Sequence, residues 1–91
     1  MIVTLEEMKQ YLRTDYADDD DFITSLIEGA EKLCMDVARV NREVFEENAA
    51  TTRIAVLYAV AYLYEHREDA DHNQLTLTVR ALLFGIRKEG F

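Results

Sequence analysis

Arg53-Ile54-Ala55-Val56-Leu57-Tyr58-Ala59-Val60-Ala61-Tyr62-Leu63-Tyr64-Glu65-His66-Arg67 is the stretch on which the fold turns. Between its flanking charges, eleven apolar or aromatic residues run from Ile54 to Tyr64 without Gly or Pro. As a helix this segment is roughly 22 Å long at ~1.5 Å per residue, with apolar side chains on every side rather than along one stripe. A strand would be shorter and richer in β-branched residues, whereas Ala55, Ala59, Ala61, Leu57 and Leu63 favour a helix. A membrane span needs about 20 apolar residues, so the segment is expected to be the enclosed central helix of a small soluble bundle.

The chain outside this segment is sized for that role. Its 91 residues correspond to one domain, 1–91, and 49% hydrophobic with 31% charged residues is a folded-protein composition. The opening Met-Ile-Val-Thr-Leu-Glu-Glu lacks the basic region and cleavage site of a secretory leader. A single cysteine, Cys34, has no internal disulfide partner, and both features fit a reducing cytoplasm. Eighteen acidic against ten basic residues give a net charge of -8, the wrong sign for gripping phosphates. The acidic excess is concentrated before residue 37, while 76–91 carries Arg80, Arg87 and Lys88 against Glu89.

Towards the N-terminus, Thr4 and Glu7 have capping-box spacing and Leu5, Met8 and Leu12 recur at helical period, predicting a first helix over 5–13, with Tyr11 extending its apolar face. The Asp-rich 14–21 suits a helix start, with the cap at Asp18 or Asp19. It does not fit a calcium loop: counting from Asp15 places Asp20 where Gly is required and Leu26 where Glu is required. A second helix, 20–39, has one wide stripe through Phe22, Ile23, Leu26, Ile27, Ala30, Leu33, Cys34 and Val37. Gly29 within it is read as a close-packing point, and Cys34 as a small buried hydrophobe.

Residues 41–52 read as a connector with room for a short helical turn around Val44-Phe45, and Thr51 or Thr52 is expected to cap the central helix. Beyond that helix, 68–74 is a polar loop, and His66 and His72 lack metal-ligand spacing and read as solvated. A last helix, 76–87, aligns Leu75, Val79, Leu82, Leu83 and Ile86, with Gly85 in its final turns and Gly90 beside a terminus expected to fray. The whole is all-α, four main helices around 53–67. No phosphate loop, nucleophile elbow or carboxylate pair in an enzyme's context is present, so neither an enzyme nor a cofactor is expected.

The order of segments resembles the head-tail connector, or adaptor, proteins of tailed bacteriophages and prophages, some of which are labelled DNA-packaging proteins. The resemblance rests on Val3-Thr4-Leu5-Glu6-Glu7-Met8-Lys9-Gln10-Tyr11-Leu12-Arg13 before an Asp-rich turn, and on the amphipathic helix from Asp21 to Val37. It continues in Leu63-Tyr64-Glu65-His66-Arg67 and Val79-Arg80-Ala81-Leu82-Leu83-Phe84-Gly85-Ile86-Arg87. The chain departs from the family where members often have Pro and Gly, here Gln74-Leu75-Thr76-Leu77-Thr78.

The resemblance implies a structural virion protein assembled in the host cytoplasm as a ring of about a dozen identical subunits joined by heterologous contacts. The ring would dock beneath the portal protein, meet tail-side connector proteins, and pass DNA without sequence-specific binding or membrane contact. Arg80, Phe84, Arg87, Lys88 and Phe91 are the expected portal or subunit contacts, since basic and aromatic side chains make good anchors. The other reading is a small helical regulatory or protein-interaction module. A helix-turn-helix reader would need a tight turn and a basic recognition helix, which the chain lacks.

Overall fold

A computed structural model describes residues 2–14, 17–66 and 68–86 of the chain, the side chains of Ala17 and Ile86 excepted. Thr4 accepts from the Glu7 amide at 3.1 Å while the Glu7 carboxylate accepts from the Thr4 amide at 3.1 Å. This reciprocal capping box starts helix α1, Leu5–Leu12. The helix stops at Arg13, in the left-handed region at φ 58°, and Thr14 N–H bonds back to the Lys9 carbonyl at 3.0 Å. A 3-10 turn, Ala17–Asp19, leads into α2, Asp20–Ala38. Asp19 is the N-cap, as its composition suggests, yet its side chain makes no capping bond. It accepts instead from the Tyr64 hydroxyl at 2.7 Å.

The expected connector contains a helix of its own. Asn41 accepts from the Val44 amide at 2.9 Å and opens α3, Arg42–Glu47, whose Phe45 is fully buried. The central helix, α4, covers Ala49–Glu65 and starts ahead of the predicted Thr51 or Thr52 cap. Thr52 is a buried residue inside it, donating its hydroxyl to the Phe45 carbonyl at 3.1 Å. The last helix, α5, is His72–Leu82, four residues ahead of the predicted start. Asp71 accepts from the Gln74 amide at 3.0 Å, and this cap makes His72, Asn73 and Gln74 a solvated first turn. The helix also ends sooner than predicted, before a 3-10 turn, Phe84–Ile86, that contains Gly85.

The described residues thus form five α-helices and no strand, an all-α bundle with one short helix more than the four expected. Helices α2 and α4 form the main pair. They run antiparallel, since Tyr64 near the end of α4 lies against Asp19 and Phe22 at the start of α2. Helices α1 and α5 each pack on both members of the pair. The core takes Ile23, Ile27, Ala30, Cys34 and Ala38 from α2, and Ala55, Val56, Ala59 and Val60 from α4. Val3, Met8, Phe45, Leu75, Val79 and Leu83 complete it. Alanines on both central helices let the backbones approach closely, so much of the apolar bulk of α4 points elsewhere.

Gly29 is not the close-packing point that was expected. It is exposed on α2, and a Cβ added there meets nothing within 4 Å. Gly29→Ala is therefore expected to stabilise the fold by about 1 kcal/mol through helix propensity. That gain is a rise in Tm of roughly 4–8 °C, measurable by thermal melting.

Candidate functional site

Helix α4 is buried on one side by Thr52, Ala55, Val56, Ala59 and Val60. At 100° per residue the opposite side carries Ile54, Leu57, Tyr58, Ala61 and Glu65. Ile54 is 57% exposed, and Leu57, Tyr58 and Ala61 are only half-buried. The enclosure expected for this helix is therefore incomplete. Tyr11 of α1, 53% exposed, stands beside this face, so it extends the surface rather than the core. With Tyr58, Ala61, Tyr62, Glu65 and His66 it lines an open hollow of about 470 Å³. The rings of Tyr58 and Tyr62 stack at 6.4 Å and those of Tyr62 and His66 at 4.3 Å, giving the hollow an aromatic wall. His66 is thus packed rather than simply solvated, while His72 is exposed. The Tyr62 hydroxyl anchors that wall to α5, accepting from the Asp71 amide at 2.9 Å.

A second uncovered face lies on α5. Leu75 and Val79 point to the core, and Leu77, two residues from each, is 57% exposed on the other side. Phe84, at 75% exposure, continues this face, and Arg80 is exposed with no ion pair among the described residues. Of the predicted contact residues, Arg80 and Phe84 are thereby both exposed, four positions apart around the end of α5. Arg87, Lys88 and Phe91 lie outside the described residues. Ile54, Tyr58 and Leu77 had not been singled out from the sequence. For Leu77 a signal existed, because it falls out of register with Leu75, Val79 and Leu82.

Away from these faces, side chains lock the bundle. Glu31 of α2 is 2% exposed and accepts from the Ile2 amide at 2.9 Å and from Arg42 Nη1 at 3.0 Å. Arg53 of α4 donates to the Ile2 carbonyl at 2.9 Å and to the Glu7 carboxylate. The segment before α1 is thus held through both backbone groups of Ile2. Lys9 pairs with Asp20 at 2.7 Å, tying α1 to the start of α2. Among the described residues no group of His, Cys, Asp and Glu could hold a metal ion. Cys34 is buried, and that burial, helped by the Glu31 charge, pushes its thiol up to about 12, leaving it inert.

The Arg53 hydrogen bond is the largest influence on Glu7, whose carboxyl is held at about 2 against an ordinary 4.5. A carboxylate with a depressed folded-state pKa stabilises the fold above its unfolded value and loses that contribution as pH falls through the folded one. Stability from this pair is therefore present above pH 4.5 and is lost between 4.5 and about 2. Glu7→Gln is expected to lower Tm at pH 7 and to flatten the fall in Tm across that window. An equally steep acid limb in the variant would assign it to other carboxylates.

The described residues therefore present two exposed apolar faces, one bordered by carboxylate and one by guanidinium. No described helix is long and apolar enough to cross a membrane. No curated protein and no solved structure matches the chain. A family model described as "Phage gp6-like head-tail connector protein" matches residues 2–89, nearly the whole sequence. With that match spanning the capped first helix, the apolar central helix and the closing helix alike, the chain belongs to the phage gp6-like head-tail connector family.

Proposed function

We propose that this chain, as a single domain over 1–91, is a structural, non-enzymatic subunit of the virion that joins head to tail. About a dozen copies form a ring beneath the portal and continue its DNA channel towards tail-side connector proteins, assembly taking place in the bacterial host cytoplasm. Arg80, Phe84, Arg87, Lys88 and Phe91 supply contacts to the portal or to neighbouring copies. The observation that carries this reading beyond family membership is the uncovered side of α4, where Ile54, the first residue of the apolar run, is 57% exposed. An isolated small subunit gains nothing from that exposure, whereas a subunit of an assembly buries it.

The net charge of -8 supports a channel that lets DNA slide, because carboxylates repel phosphates and release no counterions on contact. Measuring the mass of the purified chain, alone and mixed with portal rings, tests the assembly. The expected result is a closed oligomer in at least one of the two settings. Duplex DNA binding at physiological salt is expected to be weaker than micromolar, and tighter binding would overturn the sliding-channel part.

A further inference from the structure

The two uncovered faces differ in a way that specifies how they pair. The α4 face ends in Glu65, and Glu68 and Asp69 follow it on the lining of an adjoining hollow. All three are exposed, and none has an ion pair among the described residues. The α5 face carries the opposite charge, Arg80, between the apolar side chains of Leu77 and Phe84. Within one molecule these faces cannot meet, because α5 already packs on α4 through the side that holds Leu75 and Val79.

Pairing like with like across a two-fold axis would put guanidinium on both sides of the joint, or carboxylate on both sides, with no opposite charge to meet it. Pairing unlike faces sets a guanidinium against a carboxylate and an aromatic anchor against an aromatic hollow. We propose that copies of this chain join head to tail, with Leu77, Arg80 and Phe84 of one copy seated between Tyr11 and Tyr58 of the next and Arg80 against its Glu65. This rests on the ring reading above and specifies its subunit joint. Phe84 enters the hollow beside the stacked tyrosines and occupies part of it, and Leu77 covers the exposed apolar surface next to it. A heterologous joint of this kind leaves one free face at each end of any short oligomer, so it propagates until a ring closes.

The joint is tested by sedimentation of the full chain, alone and on portal rings. Phe84→Ala is expected to weaken self-association about 30-fold, the effect of removing a central aromatic anchor. Arg80→Glu and Glu65→Arg should each weaken it by about tenfold or more, and the two changes in one chain should restore assembly. Because these side chains are exposed, circular dichroism should remain that of the parent protein, and so should Tm at concentrations where both are monomeric. Ala61→Cys combined with Ala81→Cys should, on oxidation, yield a ladder of cross-linked multimers where either single variant yields at most a dimer, with buried Cys34 taking no part.

If the parent chain assembles and the variants assemble as tightly, without a ladder, the joint is overturned while the connector reading stands. If the parent chain assembles neither alone nor on portal rings, the ring reading falls and the joint falls with it.

Discussion

Phe45→Ala is expected to cost about 4 kcal/mol of folding stability, the largest effect of any single truncation proposed for this chain. Phe45 is the only large residue that α3 contributes to the core, and none of its surface is exposed. Its backbone is committed as well, since its carbonyl accepts the Thr52 hydroxyl of α4 at 3.1 Å inside the bundle. Removing the ring takes away the reason for a six-residue helix to lie where it does, because isolated helices of that length do not persist in water. Small domains have total stabilities of roughly 5–15 kcal/mol, so the variant should sit close to its unfolding threshold. Urea denaturation followed by circular dichroism measures this. A loss under about 1 kcal/mol would mean that α3 is peripheral to the cooperative unit.

Glu31→Ala should cost about 3 kcal/mol, for a different reason. Its carboxylate is almost wholly removed from water, and the truncation leaves the Ile2 amide and the Arg42 guanidinium without their acceptor. Arg42 is half exposed and can turn to solvent, so most of the loss comes from the Ile2 amide and from the hole left beside Cys34. Glu31→Gln keeps one acceptor oxygen and should lose less. The converse change, Arg42→Ala, leaves a buried charge with a single backbone donor and should cost a comparable amount. In a double-mutant cycle Glu31→Ala and Arg42→Ala should be less than additive, and full additivity would show that the pair does not act as a unit.

These two residues mark where reading the sequence stopped. Glu31 falls beside the apolar stripe of α2, where an acidic residue is ordinarily solvated, and its partners lie 29 positions before it and 11 after. Phe45 sits in a stretch whose Asn, Glu and Thr content suggests a connector, and its burial depends on a surface supplied by α4, which local composition does not reveal. Local signals fared better where the chemistry was local. The Thr4–Glu7 capping box was legible, and so were the stripe of α2 and the helical state of the central run. The Asp71 cap was missed, since a polar loop and a solvated first turn have the same composition.

The candidate faces divide in the same way. Arg80 and Phe84 were singled out from the sequence and prove exposed, yet Ile54 and Tyr58 were not singled out, because every position from Ile54 to Tyr64 is apolar or aromatic. By itself the sequence determined an all-α chain, where most of its helices lie, and a central helix apolar on every side. Only the tertiary structure decided which side of that helix stays bare. A helix that is apolar all round has no preferred buried face, so the choice falls to whichever side lets the alanines of α2 and α4 bring their backbones together.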